Sequence, residues 1–520
     1  MARKWWTLLA VSVATFMLLL DITVVNTALP AIEKDLSASF TDVQWVIDAY
    51  TLSLAAVVLT AGSLADRLGR RAVFAAGLAI FSAASLVAGL APNATILNVA
   101  RAVEGIGGAA MFAVSLALVA QEFQAGRDRA TAMGVYGATI GIAVAVGPLV
   151  GGAITSGPGW RWVFFLNVPI GVAAIAVTFA KLRESRDPNA TRVDWLGLAS
   201  FSAGLLMLVL ALLRANDDGW GSPLIVGLLA GAAIMLSAFA LIERPVAEPM
   251  LPLALFRSRA FTGIQLAAFA VSASLFALFL YLTLYLQNYL GYSPLQAGLR
   301  YLPITLAPLF VAPVAVALMA RVQARVVLAI GLAGVGGGLL LMSGLHVDSG
   351  WAALLPGFIV AGVGVGLLNP VIADVAVSVV AKERSGMAAG INDTFRQVGI
   401  SVGVAAWGAI FLGQGAERIT SLTAGTPAAA AHHSRALLET ASAGRLGSAL
   451  TAVPRSARAA VASAAREGFL SGLNTILLVG ALVSFAGAIV ALWLVREREI
   501  EREQHQQAPV SEAKLEGIAA

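Results

Sequence analysis

The sequence predicts an all-α polytopic membrane protein with about fourteen transmembrane helices, and three observations carry that prediction. Of 520 residues, 59% are hydrophobic and 12% charged, about half the charge of a soluble domain, and the mean hydropathy is +0.84. Apolar runs of roughly twenty residues, long enough to cross hydrocarbon as helices, recur near 6–30, 44–65, 72–91, 95–119, 130–155, 161–180, 193–213, 223–242, 261–288, 296–319, 326–345, 351–377, 385–412 and 470–495. Lys and Arg crowd every second junction, as Arg3 and Lys4, Arg67 to Arg71, Arg127 and Arg129, Lys181 to Arg192, Arg244 to Arg259, Arg321 and Arg325, and Lys382 and Arg384. An even number of spans puts both termini on one side, and the positive-inside rule makes that side cytoplasmic.

That asymmetry explains a sequence pI near 9.7 without a nucleic-acid partner. The chain has no cysteine, which excludes a disulfide framework, a thiolate metal site and a cysteine nucleophile. It has no Gly-x-x-x-x-Gly-Lys-Ser/Thr run, hence no visible ATP motor. His346, His432, His433 and His505 lack zinc-like spacing, no catalytic triad signature is present, and the Gly-x-Gly runs near 105 and 362 follow no strand. Neither an enzyme, a metal nor a bound cofactor is expected. Arg3 and Lys4 ahead of an apolar stretch imitate a signal peptide, but the stretch is too long and contains Asp21, so it reads as a retained first span.

Along the chain, residues 1–181 hold six spans, and 182–260 hold two inserted spans with polar linkers at 181–192 and 243–260. Residues 261–495 hold six more spans, and a charged tail occupies 496–520. This plan suggests an internal repeat with two inserted helices. Leu64-Ala65-Asp66-Arg67-Leu68-Gly69-Arg70-Arg71 aligns with Leu318-Met319-Ala320-Arg321-Val322-Gln323-Ala324-Arg325, keeping two Arg positions and losing the Asp and Gly. Glu104-Gly105-Ile106-Gly107 is echoed by Ala361-Gly362-Val363-Gly364. The second half thus retains packing glycines without the charges, and functional asymmetry is expected. Residues 413–469, extracellular in this orientation, are rich in Ala, Ser, Thr, Gly and Arg. They read as a non-spanning segment with short amphipathic helices near 436–440 and 457–461, either a tether or a substrate-handling lid.

Ionisable residues inside spans mark function, because a central Asp adds about 2.5–3.5 kcal/mol to insertion and persists only against a partner or a water path. Asp21 lies nine residues before Pro30, roughly 13 Å below the outer end at the helical rise. Arg101 and Glu104 open a span running the other way and sit about 9 and 13 Å below its outer end. All three share one level, and Arg101 and Glu104 share a helix face. Burial favours the neutral acid and a nearby Arg the carboxylate, so such a cluster can work as a proton switch; a static ion pair fixing helix register is the alternative. Asp393 and Arg396 repeat the i, i+3 arrangement in the thirteenth span, as a mutually neutral pair or a second protonatable site. Asp48 lies near the outer end of the second span, where snorkelling beside Trp45 and Tyr50 is the bland reading.

Four patterns converge on one resemblance. Leu20-Asp21 through Pro30 opens the chain, and Gly62-Ser63-Leu64-Ala65-Asp66-Arg67-Leu68-Gly69-Arg70-Arg71 follows the second span. Arg101-Ala102-Val103-Glu104-Gly105 and Gly147-Pro148-Leu149-Val150-Gly151-Gly152 lie in the fourth and fifth spans. The chain resembles the major facilitator superfamily, and within it the fourteen-span drug:proton antiporters, over essentially its whole length. The resemblance implies two six-helix bundles plus two inserted helices in a cell membrane, a monomer, and protons and small molecules as partners. It implies proton-gradient-driven export of hydrophobic, often cationic, drugs. Asp21, Arg101 and Glu104 would carry the coupling, although the family usually has Gln where Glu104 stands. Asp48 would attract cationic substrate. Gly62, Asp66, Arg67, Gly69, Arg70 and Arg71 would form a conformational gate, and Gly147, Pro148, Gly151 and Gly152 would seal one access path. A dedicated exporter of one native metabolite, a transport-inactive sensor or scaffold, and a facilitator for uptake are the alternatives.

Overall fold

Hydrocarbon offers a backbone no hydrogen-bond partners, so a spanning chain must close its bonds within each segment. The protein does this with helices. Its structure, a computed structural model, describes residues 2–123, 127–186, 194–245, 249, 251–319, 321–378, 385–424 and 433–496. Among these, 14 helices are long and apolar enough to cross a membrane. They are α1 (Arg3–Asp35), α2 (Phe40–Leu68), α3 (Arg70–Gly89), α4 (Ala94–Glu122) and α5 (Arg127–Ser156), then α6 (Arg161–Lys181), α7 (Trp195–Asp218) and α8 (Pro223–Ile242). The rest are α9 (Arg259–Tyr289), α10 (Pro294–Met319), α11 (Ala324–Met342), α12 (Leu355–Ser378), α13 (Ser385–Thr423) and α14 (Arg458–Leu494). Ser39 with Asp42 builds a capping box on α2, and the Asn93 side chain caps α4, supplying acceptors for otherwise orphaned N–H groups.

Helices α1–α6 pack as one bundle, through α2 and α3 on α4, α1 on α5 and α3 on α6. Helices α9–α14 pack as a second, through α11 on α12, α10 on α12 and both α11 and α13 on α14. The inserted α7 and α8 pair with each other, and α7 leans on α2 and α13. Helix α9 is interrupted by π turns at Ser272–Phe276 and Tyr285–Tyr289, the first of which receives a hydrogen bond from the Trp407 indole at the Ala273 carbonyl, 2.7 Å.

Two seams join the bundles. Along α5 and α10 the backbones nearly touch. A Cβ on Gly152 would stand 2.4 Å from the Pro294 carbonyl oxygen, and one on Gly298 would stand 2.4 Å from that of Pro148. Along α2 and α13 the seam is polar: Gln44 Nε2 donates to the Val404 carbonyl (2.9 Å) and to Tyr281 Oη of α9 (3.1 Å), and the Thr51 and Ser401 hydroxyls are hydrogen-bonded. Gln287 Nε2 adds a bond to the Thr27 carbonyl, 2.8 Å. These contacts lie toward the end of the bundle where α1 finishes at Asp35. Toward the Arg67 end, nothing lies within 4 Å of where a Cβ would stand on Gly62, Gly134 or Gly137. The two bundles are thus joined at the Asp35 end.

Two boundaries differ from the sequence reading. The thirteenth helix does not stop near 412 but runs to Thr423, and the fourteenth begins at Arg458 rather than 470. The expected short helix at 457–461 is therefore the start of α14. The cause is a close approach beyond the apolar band: a Cβ on Gly415 would meet the Gly468 carbonyl at 2.9 Å, and Ile419 and Val461 are fully buried. The other expected short helix forms as Ser434–Ser442. It buries Leu437 and Leu438 and is tied to α9 by Asn288 Nδ2 donating to the Ser442 carbonyl, 2.5 Å. Arg192 with the rest of its linker beyond 186, Ala320, Lys382, Arg384, residues 425–432 with His432, and the tail from 497 lie outside the described residues, as do the side chains of Asp66, Arg127 and Arg129.

Gly151 packs α5 onto α1, where a Cβ would come within 2.3 Å of Thr27 Oγ1 and 2.6 Å of the Val24 carbonyl oxygen. Gly151→Val is expected to destabilise the fold by about 1–3 kcal/mol, the usual effect of overpacking, read as a lower melting temperature of the detergent-solubilised protein.

Candidate functional site

Five helices of the first bundle meet around one guanidinium. Arg101 reaches from α4 and donates through Nη1 to Asp21 Oδ2 of α1 at 2.5 Å and to Glu104 Oε2 at 2.7 Å. Its Nε donates to the Val46 carbonyl of α2 at 3.1 Å, and its plane lies 4.2 Å from the centroid of the Tyr50 ring, a cation–π geometry. Asn167 of α6 completes the set, its Nδ2 donating to Asp21 Oδ1 at 3.1 Å and to Ser85 Oγ at 3.2 Å, while Ser85 of α3 donates to Glu104. Asp21 and Arg101 are each 2% exposed and Glu104 is 0% exposed. The three residues assigned to one level by helical rise are thus in direct contact. Two carboxyls face one guanidinium, so the cluster carries one negative charge when both are ionised and none after taking up one proton.

Asn167, Ser85 and Tyr50 complete this cluster without having been singled out in the sequence, where a neutral polar residue inside an apolar span gives little signal. A further omission is Glu184, in the segment after α6. Its carboxylate accepts from the backbone N–H of Arg71 (3.0 Å) and Ala72 (3.2 Å) at the start of α3, lies 3.7 Å from Arg71 Nε, and caps a helix N-terminus whose dipole favours an anion. Gly69 has φ +116°, and a Cβ there would stand 2.5 Å from the Glu184 carboxyl, so the glycine is required twice over. The Arg70 N–H also bonds the Ser185 carbonyl, 2.9 Å. Arg67 is exposed. The Asp66 side chain, to which the sequence reading gave the latch, lies outside the described residues, and Glu184 grips the loop.

Gly147 and Gly151 face α1, a Cβ on Gly147 standing 1.9 Å from Thr23 Oγ1. Gly152 and the Pro148 carbonyl face α10, so the motif lies at the meeting of α1, α5 and the second bundle. A small cavity beside it is lined by Ile22, Asn26, Thr51, Phe276, Phe279 and Tyr301 among others, with no charged side chain.

Two site readings change. Asp48 does not snorkel at an interface: it is 0% exposed, enclosed in the α2–α13 seam. Asp393 and Arg396 form no ion pair; Arg396 Nη2 bonds Asn369 Oδ1 of α12 at 2.6 Å, because the long side chain reaches past its helical neighbour, and Asp393 is partly exposed. Among the described residues there is no group of three His, Cys, Asp or Glu placed to hold a metal.

With this geometry in view, the family model described as Major Facilitator Superfamily matches residues 11–404. The chain belongs to the major facilitator superfamily. It is 38% identical to the puromycin resistance protein of Streptomyces alboniger over 78% of this chain and 81% of that one. It is 33% identical to the tetracenomycin C resistance and export protein of Streptomyces glaucescens over 98% and 94%, and 35% identical to a multidrug resistance protein of Mycobacterium tuberculosis over 78% and 75%. In fold it resembles a bacterial homologue of the human lysosomal transporter Spinster, with TM-score 0.65 at 16% identity over 96% of this chain and 98% of that one. Membership places the protein among multi-pass cell-membrane transporters of small molecules rather than among enzymes.

Arg101→Ala leaves two buried carboxyls without their cation and is expected to destabilise the fold by about 3–5 kcal/mol, more than Asp21→Asn does; melting in detergent ranks the two. Glu184→Ala strips the cap from α3 and is expected to cost about 0.5–2 kcal/mol, read as faster proteolysis of the junction after α2.

Proposed function

We propose that the protein is a proton-coupled antiporter that exports hydrophobic, often cationic, drugs or toxic small molecules by alternating access. Residues 1–181 and 261–495 are the two moving bodies, 182–260 the inserted pair and 496–520 a cytoplasmic tail. The basic Arg67 end faces the cytoplasm and the Asp35 end the exterior, which makes the Ser434–Ser442 region an extracellular cap; a single chain suffices. The observation that carries the reading is the dry cluster of Asp21, Arg101 and Glu104. One proton neutralises it, and its Asp21 belongs to α1, the helix that also lines the inter-bundle cavity. The resistance and export proteins among the relatives support drugs as cargo. The uncharged aromatic lining of the cavity supports an apolar ligand.

A proton moving inward releases about 2.3 kcal/mol per 100 mV from the electrical term alone. Exchange for a monovalent cation cancels that term and leaves the pH difference as the driving force. Gly62, Gly69 and the Arg67, Arg70, Arg71 loop act as the gate at the Arg67 end. Gly147, Pro148, Gly151 and Gly152 seal the other. Export of a single native antibiotic is the second reading, supported by the relative named for tetracenomycin C export; competition among chemically unrelated substrates separates the two.

In proteoliposomes with an imposed pH gradient, substrate flux is expected to collapse to background when the gradient is dissipated and in Asp21→Asn. Flux that survives both removes Asp21 from the coupling role and moves it to Glu104 or Asp393.

A further inference from the structure

We propose that Asp48 is a second proton-binding site, one that exchanges its proton with the medium only when the Asp35 end opens, so that protonation of this carboxyl holds that end shut. The inference rests on the alternating access proposed above and not on the role of Asp21.

Gln44, Asp48 and Thr51 stand at i, i+4 and i+7 on α2 and so share one face. Gln44 and Thr51 both bond across to the second bundle, through Val404, Tyr281 and Ser401. Asp48, between them, is 0% exposed, and neither of its carboxyl oxygens has a hydrogen-bond partner. The Ser401 hydroxyl lies beside it but is engaged with Thr51.

No cation compensates it. Arg101 meets α2 through the Val46 carbonyl and the Tyr50 ring, two residues to either side of Asp48 and hence on the opposite face, and is held there by Asp21 and Glu104. Arg214 of α7 pairs with Asp218, Arg396 of α13 bonds Asn369 and Arg418 pairs with Glu467. Arg70 and Arg71 of α3 lie at the far end of the bundle, and Asp393, two turns along α13, brings no positive charge. Glu33 of α1 lies near Arg445, beyond the start of α2. Tyr281 of α9, whose hydroxyl donates to the Val404 carbonyl, brings no positive charge.

An ionised carboxylate cannot stay in such a seam without a partner, so the seam closes on the neutral acid. When the bundles part at this end, water replaces the contacts across α2 and α13, and the same group is free to ionise. Proton uptake from the medium at the Asp35 end precedes closure, and release returns the proton to that medium. The Asp48 proton is therefore not carried across. It sets the balance of conformations, with acid favouring closure at this end.

The absence of cysteine permits paired labels at two exposed positions, Lys34→Cys on α1 and Gln414→Cys on α13, whose separation reports opening of the Asp35 end in proteoliposomes across a pH series. The closed fraction is expected to rise as pH falls, with a limiting slope of roughly tenfold in the closed:open ratio per pH unit, as for one proton. This response persists in Asp21→Asn and disappears in Asp48→Asn, which stays closed at every pH; Asp48→Ser, equally unable to titrate, replaces Asn if that variant does not accumulate. A parental pH response in the Asp48 variants, or a parent with no response, overturns the proposal. Loss of proton-driven efflux with the Asp48-dependent distance change intact counts against the transport reading alone.

Discussion

A single guanidinium placed between two acids in a dry interior is the constraint on which the first bundle depends. Arg101 fixes α4 against α1 through Asp21 and against α2 through the Val46 carbonyl, and Asn167 and Ser85 bring α6 and α3 to the same point. Any one of these polar groups alone would be costly to bury. Together they satisfy one another, apart from the charge left over from two carboxyls and one cation. A proton on either carboxyl would balance that residual charge.

Among the described residues, the second bundle has no equivalent. Where the first has Glu104, Gly105 and Gly107, the second has Ala361, Gly362 and Gly364, and those glycines serve packing: a Cβ on Gly364 would stand 2.6 Å from the Gly331 carbonyl oxygen. The second bundle instead presents aromatic rings, Phe276, Phe279 and Tyr301, to the cavity between the halves. The first bundle lines the same cavity with aliphatic and hydroxyl side chains such as Ile22, Thr23 and Thr51. Asp21 itself is not among the residues that line the cavity.

Much of this was legible in the sequence, for physical reasons that also mark the limits. Helical rise alone put Asp21, Arg101 and Glu104 at one depth, because spans are stiff rods of fixed pitch. Helix-face spacing was a weaker guide for Asp393 and Arg396: i, i+3 permits contact, but a long Arg side chain takes the better partner, and Asn369 belongs to another helix. Burial of Asp48 was invisible because its distance from the chain's apolar boundary says nothing about which neighbour covers it. The limits of α13 and α14 were missed since hydropathy finds the membrane and not the helix, and the Gly415–Gly468 approach prolongs both helices beyond it. Glu184 was hidden in a linker that reads as solvated charge.

The two seams between the bundles differ in what can undo them. Between α5 and α10 the contact is backbone against backbone through Gly152, Gly298 and the Pro148 carbonyl, with nothing in it to titrate and little that water can replace. Between α2 and α13 it is made of hydrogen bonds from Gln44 and Thr51, and the net worth of such bonds over bonds to water is small, about 0.5–1.5 kcal/mol each. The Phe40 and Phe411 rings, stacked with centroids 5.8 Å apart, add an apolar contact to that seam. A glycine–proline contact suits a surface on which one rigid body rocks against another, since it tolerates small angular change without losing a specific bond. A polar seam enclosing one unpartnered acid suits the surface that separates.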